Sequence, residues 1–408
     1  MNSYKIPKVV HQRNAYVDKV IPFIGKQLIK AFTGQRRVGK SYLLFQVMQY
    51  IRDTDPTASI LYINKEDLQF DTIKNYLDLE KYVQDNKSKE GKTYVFIDEI
   101  QDIIEFERAL RSLVLDDQLD LYCTGSNANL LSGELSTVLS GRFIEITVYS
   151  LSFSEFVQFH KIDKTEKSID LYLKYGGLPY IIHLPLEDAV VFEYLKNIYT
   201  TIIYRDIVER YSIRNVRFLE QLTLFLASNT GSLFSAKRIS DFLKSQQIKI
   251  APNQVQTYLH HLTSAFLLHE VPRYDIVGKR IFEIGEKYYF ENLGIRNALW
   301  GYRIEDKAKI LENVIYNHLR YLGYTIKIGV IASEEIDFVC EKNGETLYIQ
   351  VAVTLDEQKT IDREFGNLLK IKDNYPKYVV TRNGFEGNSY KGIPVLSLME
   401  FFEMKLLY

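Results

Sequence analysis

Eight residues near the start of the chain, Gly34-Gln35-Arg36-Arg37-Val38-Gly39-Lys40-Ser41, fit the spacing G-x-x-x-x-G-K-[ST]. Glycines at such positions let the backbone curl until successive N–H groups point inward, and a helix opening at Lys40 would add its positive end. A loop of this kind is built to hold phosphate oxygens. Gly34, Gln35, Arg36, Arg37, Val38, Gly39, Lys40, Ser41 and the adjoining Tyr42 are therefore the expected nucleotide-binding residues. Lys40 would reach the β and γ phosphates, and the Ser41 hydroxyl would ligate Mg2+. A second segment, Tyr94-Val95-Phe96-Ile97-Asp98-Glu99, is an apolar run that ends in two carboxylates. Asp98 would hold the metal through water, and Glu99 would orient and polarise an attacking water.

Two further segments could complete this chemistry. Thr124-Gly125-Ser126-Asn127 ends another apolar run, so Ser126 or Asn127 could position the water beside the γ phosphate, or cap a short helix instead. Arg142 follows Gly141. It could stabilise charge on the nucleotide of its own chain or of a neighbouring copy, which would make the protein a homo-oligomer, or it is an ordinary surface arginine.

The elements that must position these residues alternate between short apolar runs and amphipathic stretches, the pattern of an α/β parallel sheet. Strands are expected at Leu28–Thr33, Ser59–Ile63, Tyr94–Asp98, Leu119–Thr124 and Phe143–Val148, with helices at Lys40–Arg52, Leu68–Asp85 and Gln101–Asp116. This gives a P-loop nucleotide-binding domain over residues 1–150, which the resemblance described next would make an AAA-type ATPase domain. Helical periodicity then runs to about Leu226, broken at Gly176-Gly177-Leu178-Pro179, and defines a helical lid or linker over 151–228. Within 229–300, Ser235–Leu243 and Asn253–Ser264 read as two helices. A hairpin follows, Phe266–Arg273 with Arg280–Ile284, which is the order of a winged helix. Residues 301–408 read as a helix, three strands, a helix, a strand, and a last strand and helix.

Gly34–Ser41, Asp98-Glu99, Leu139-Ser140-Gly141-Arg142 and Leu151–Phe156 together resemble the prokaryotic AAA-type ATPases. The likeness continues through Tyr175–Pro179, Leu311-Glu312-Asn313, Glu335–Phe338 and Ile349-Gln350-Val351. This resemblance implies ATP rather than GTP, for no base-reading motif separates the two. It also implies a C-terminal domain of restriction-endonuclease-like fold and unknown function. Nucleases of that kind need an aspartate on one strand and (D/E)-x-K on the next, so that carboxylates hold a metal and the lysine steadies the nucleophile. Asp337 fits the first position and Glu312 could supply a helix acid, but Gln350-Val351-Ala352 replaces the second acid and the lysine. The expectation is a nuclease-like domain without nuclease activity. A defence-type nuclease is the disfavoured alternative, and a nucleotide-gated DNA-binding regulator with slow turnover is the other.

The 408 residues carry 51 Lys or Arg against 52 Asp or Glu, which excludes a protein basic over its whole surface. DNA contact would need a local patch. Residues 230–284 supply one, with Lys237, Arg238, Lys244, Lys249, Arg273, Lys279 and Arg280 against Asp241, Glu270, Asp275 and Glu283. Asn253, Gln254, Gln256, Thr257 and His260 would line the exposed face of the second helix and read base edges, or form a solvated polar face. Most of the 30 Tyr and 23 Phe fall at core positions, while Tyr194, Tyr199, Tyr204 and Tyr211 read as helix-spaced packing. Cys123 and Cys340 are too few for a disulfide framework or a zinc site, and a cytoplasmic location without membrane spans is expected.

Overall fold

The structure, a computed structural model, describes residues 7, 10–128, 141–245, 248, 250–281, 285–332, 334–383, 385 and 387–404. Leu139, Ser140, Lys249, Glu283 and the end of the expected strand Arg280–Ile284 lie outside them. The chain folds as two compact units. One is Met1–Tyr149 with Ser264–Phe266, and the other is Ser150–Thr263 with Leu267–Tyr408.

The first unit begins with helix α1 (Asn14–Val20), followed by β1 (Ile29–Thr33), α2 (Lys40–Thr54), β2 (Ser59–Asn64), α3 (Tyr76–Asn86), β3 (Thr93–Asp98), α4 (Phe106–Leu113), β4 (Leu119–Gly125) and β5 (Phe143–Thr147). The five strands are all parallel, in the order β2-β3-β4-β1-β5. The three inner strands β3, β4 and β1 are buried almost throughout and read as mainly apolar runs, whereas the edge strands β2 and β5 are only partly buried. Parallel pairing also sends the carboxyl ends of β1, β3 and β4 to one edge, where ligands of such sheets bind. Two expected helices are shorter than their periodicity suggests. Asn75 restarts the chain as an N-cap, its side chain accepting from the N–H groups of Leu77 and Asp78 while Asp78 accepts from Asn75 N–H. Ile104 N–H bonds to the Lys74 carbonyl and Tyr76 N–H to the Ile104 carbonyl, holding both segments extended before their helices begin.

The second unit opens with α5 (Phe153–His160), α6 (Glu166–Tyr175), α7 (Asp188–Thr201), a π-helical stretch at Ile202–Glu209, and α8 (Val216–Ser228). The break expected at Gly176 is real: its φ of 70° ends α6, and Pro179 opens a 3-10 turn. Next come β6 (Leu233–Phe234), α9 (Ala236–Ser245), α10 (Pro252–Ser264), β7 (Leu268–Val271), β8 (Arg273–Asp275), β9 (Arg280–Ile281) and β10 (Glu286–Phe290). A three-stranded sheet has the order β6-β10-β7. The hairpin expected to turn at Val277-Gly278 forms, but as the short pair β8 and β9 and not as a partner for the whole of Phe266–Arg273. The antiparallel partner of β7 is β10, whereas β9 pairs with β8, and β8 joins the edge of a different sheet through β11 (Thr325–Ile331).

That eight-stranded sheet follows α11 (Leu293–Trp300) and α12 (Lys307–Tyr321). Beyond β11 it takes in β12 (Glu334–Lys342), β13 (Glu345–Ala352), β14 (Lys377–Thr381), β15 (Ser389–Tyr390) and β16 (Ile393–Ser397). Helix α13 (Gln358–Leu369) lies between β13 and β14, and α14 (Leu398–Glu403) closes the described chain. Helix α12 supplies Ile310, Leu311, Val314, Ile315 and Leu319 to a core that also holds Phe338, Ile349 and Phe401. Both cysteines are free and buried, and burial pushes the Cys123 thiol up to about 12. Among the described residues no helix is long and apolar enough to cross a membrane.

His318 on α12 is 7% exposed and lies edge-on to Phe401 and Phe402, at 5.2 and 5.1 Å. Neither ring nitrogen has a hydrogen-bond partner among the described residues, and burial pushes its pKa down to about 4. An unfolded chain takes up this proton near pH 6.5, whereas the folded unit does so only near pH 4. Stability should therefore fall as pH drops through that window, by about 2 kcal/mol between pH 7.5 and 5. Thermal unfolding at pH 7.5 and 5 should show this loss, and it should be smaller in His318→Phe.

Candidate nucleotide site

The loop between β1 and α2 is shaped by positions that side chains tolerate poorly. Gly34 has φ 145°, and a Cβ there would run into the backbone carbonyl of Val148. Gly39 has φ 98° and is the left-handed N-cap of α2, without a side-chain cap. Arg37 is also left-handed, at φ 69°, and points its exposed side chain outward. Lys40 is buried, its ammonium donating to the carbonyls of Gly34 at 2.9 Å and Gln35 at 3.0 Å. Val38 is fully buried, and its carbonyl accepts from the Arg13 guanidinium at 3.1 Å. Gln35 is equally buried, and its amide donates to the carbonyl of Phe266, in the short segment that packs with this unit. Tyr42 is 47% exposed and stands edge-on to Phe45.

Asp98 is the focus of the site. Thr124 Oγ1 donates to Asp98 Oδ1 at 2.5 Å, the Tyr62 hydroxyl donates to Oδ2 at 3.0 Å, and the Ser41 hydroxyl also bonds to this carboxylate. Burial pushes the Asp98 carboxyl above the usual range. The Thr124, Ser41 and Tyr62 hydroxyls pull it back, and the neighbouring Glu99 charge adds to the rise. Glu99 has φ 58°, and its N–H donates to Thr124 Oγ1 at 2.9 Å. Its side chain accepts from Gln101 and lies 4.0 Å from the Arg36 guanidinium, which also meets Glu66 at 3.5 Å. Ser126 is buried at the end of β4, with Asn127 half-buried beside it. Ser41 and Asp98 are hard oxygen donors side by side. They fit Mg2+, which binds through one or two carboxylates, with waters and phosphates completing its shell.

Arg142 is separated from this group. The Ile29 N–H donates to the Arg142 carbonyl, and Ile29 pairs with Phe143, so Arg142 lies where β1 and β5 begin rather than where β1 ends. Phe143 pairs with Ile29 and Thr147 with Thr33, so five strand steps of roughly 3.3 Å put Arg142 about 17 Å along the sheet from Thr33. Parallel pairing thus corrects the expectation of a finger acting on the nucleotide of its own chain. Arg13, Tyr62 and Gln101 are residues that motif reading passes over, and Thr124 stands in it beside Ser126 and Asn127 without a role. Its signal is a hydroxyl at the carboxyl end of an apolar run, one residue before the end of β4.

A second polar cluster belongs to the C-terminal part. Lys287 on β10 is 4% exposed, with its ammonium 2.7 Å from both Glu312 on α12 and Glu335 on β12. Tyr289, two residues along the strand, donates to the same Glu312 oxygen at 2.5 Å. Burial works against the Lys287 charge, but the carboxylates of Glu312, Asp337 and Glu335 outweigh it and raise its pKa. Asp337 accepts from Val351 N–H at 2.8 Å, and its carboxyl is pushed well up by burial and by Glu312. Gln350 accepts from Asp337 N–H and donates to Glu364 at 2.8 Å, while Ala352 packs in the core against Phe365 and Leu368. The ammonium that Ala352 cannot supply is thus present, brought from a strand 65 positions earlier. Among the described residues no group of three or more His, Cys, Asp or Glu is placed to hold a metal ion.

Residues 26–157 match the family model described as AAA domain, and residues 166–306 match one described as Domain of unknown function (DUF8612). The matched region of unknown function therefore lies before the C-terminal part where the sequence reading placed one. The chain is 35% identical to an uncharacterized protein of Haemophilus influenzae over 402 residues, covering 97% of this chain and 99% of the other, and it belongs to the same family. It is also 29% identical to an uncharacterized protein of Methanocaldococcus jannaschii, over 88% of this chain and 83% of that one. In fold it is similar to a Walker-type ATPase of Pyrococcus abyssi, with TM-score 0.51 and 16% identity, covering 73% of this chain and 99% of that one. The first unit is a P-loop ATPase domain of the AAA type.

Removing the buried ammonium would leave Glu312 and Glu335 without their counter-charge. Lys287→Ala should destabilise the second unit by about 3–5 kcal/mol, read as a lower thermal midpoint. An unchanged midpoint would show that the cluster carries no structural role.

Proposed function

We propose that the protein is a Mg2+-dependent ATPase whose nucleotide state moves a winged-helix, DNA-contacting module. The observation that carries the catalytic part is the convergence of Ser41, Thr124 and Tyr62 on the buried carboxylate of Asp98, beside the loop that holds Lys40. Gly34 to Ser41 and Tyr42 bind the nucleotide, with the loop N–H groups and Lys40 on its phosphates. Ser41 and Asp98 hold Mg2+, which when bound neutralises charge on the β and γ phosphates. Glu99 orients the attacking water once it leaves Arg36 and Gln101, and Ser126 or Asn127 steadies that water. Arg142 acts on the nucleotide of a neighbouring copy, since its own site lies at the other end of the strands.

The order β6, α9, α10, β7, β10 supports reading 229–300 as a winged helix after a helical lid at 151–228. Its basic excess supports DNA as the partner. The helix, antiparallel strands, helix and parallel strand after residue 301 support a restriction-endonuclease-like domain. With Lys287 seated among its acids, we read that domain as catalytically silent and the protein as cytoplasmic.

Phosphate release and nucleotide binding test this reading. Lys40→Ala should lose both binding and turnover, whereas Glu99→Gln should keep binding and lose about a hundredfold or more in rate. An active Lys40→Ala protein would sink the proposal. Mixing Lys40→Ala with Arg142→Ala should restore part of the activity that each lacks alone, because only a finger acting across copies permits such rescue.

A further inference from the structure

On α10 the side chains of Asn253, Gln254, Thr257 and His261 form one wall of a cavity of about 470 Å3, and the segment from Tyr211 to Asn215 forms the other. All of these residues belong to the second unit. The volume falls within the roughly 300–1,000 Å3 usual for pockets that take small organic groups. Tyr211 stacks on His261 with centroids 3.9 Å apart and planes at 17°. The Tyr211 hydroxyl and His261 Nδ1 are both buried, yet neither has a hydrogen-bond partner among the described residues. Buried polar atoms of this kind call for an explanation, and a ligand that supplies the missing partners is one. The wall containing Tyr211 follows the π-helical stretch and is bent by Ser212 at φ 51°, two backbone features that concentrate at functional sites. Arg214 and Arg217 are exposed, and residues 205–217 hold four arginines against Asp206 and Glu209.

We infer that this pocket receives one unpaired nucleotide of a single-stranded nucleic acid. The inference rests on the reading of this region as DNA-contacting and sharpens it. A planar base meets the Tyr211–His261 pair. The amides of Asn253 and Gln254 and the hydroxyl of Thr257 offer donors and acceptors to its edge, and Arg214 meets the flanking phosphate. Every base has a π face, so such stacking tolerates sequence, as is usual for single-strand binding. A duplex suits the pocket less well. Groove insertion needs a helix face open over the ~12 Å width of the major groove, whereas Tyr211 to Asn215 stand across the side chains that would read it. A base already out of its stack needs no such opening.

The full-length protein can be titrated, without ATP, into a fluorescein-labelled 15-mer of mixed sequence, either single-stranded or as a blunt duplex, with anisotropy as the readout. The single strand should bind at least about tenfold more tightly. Arg214→Ala with Gln254→Ala, both at exposed positions, should weaken single-strand binding by roughly tenfold while leaving the thermal midpoint and ATP turnover unchanged. Photocrosslinking of a 5-iodouracil single strand should map to Tyr211 or His261. Duplex binding that equals or exceeds single-strand binding and ignores these substitutions would overturn the pocket but leave a DNA-contacting winged helix in place. Binding to neither form would overturn the pocket and the DNA-contacting reading together, and turnover of the parent protein would still decide the ATPase reading on its own. Tight binding of free dTMP that competes away the oligonucleotide would identify a mononucleotide site and overturn the single-strand assignment.

Discussion

A carboxylate buried at the end of a parallel strand is the constraint around which the first unit is arranged. Asp98 is 3% exposed, and an isolated charge at such depth is costly. Three hydroxyls from three different segments offset that cost: Thr124 on β4, Tyr62 on β2 and Ser41 on α2. Each can reach Asp98 only because β3 lies between β2 and β4 in the parallel order and the loop after β1 opens at the same edge. Strand order, the bends at Gly34 and Gly39, and the position of Lys40 therefore serve one electrostatic need. The carboxylate still titrates above its usual range, which leaves it receptive to a further positive charge.

The second unit meets a comparable problem differently. Glu312, Glu335 and Asp337 gather at the C-terminal sheet, and the positive charge among them is covalent. Lys287 arrives from β10, with Tyr289 beside it because side chains two apart share a strand face. An ammonium with three donors and a fixed tether satisfies those oxygens in a way a mobile ion does not. The same contact ties the three-stranded sheet, which carries the helix pair α9 and α10, to the C-terminal sheet.

Much of this architecture was legible in the residues. All five strands of the first unit begin and end within one residue of where their apolar runs place them, since each is a short run rich in apolar residues bounded by polar or turn residues. Helix lengths were less legible. Leu68–Asp85 is amphipathic throughout, yet the side chain of Asn75 and the pairing to Ile104 delay α3 until Tyr76. Cap and bridge compete with periodicity, and the balance depends on a segment thirty residues away. The strands after α10 show the same limit. Phe266–Arg273 and Arg280–Ile284 are close in sequence and look like one hairpin, but only β8 pairs with β9, while β7 finds its partner in β10 and β8 also joins β11.

By itself, the sequence determined the phosphate loop, the acidic strand end and the alternating α/β order, because each of these is local chemistry at a fixed spacing. Tertiary structure decided what lies opposite what. It made Thr124 and Tyr62 partners of Asp98, set Arg142 at the far end of its strand, brought Lys287 to Glu312 across 25 positions, and faced Tyr211 with His261. Those pairings follow from strand order and helix packing, in which long-range burial outweighs local preference, and no spacing along the chain encodes them.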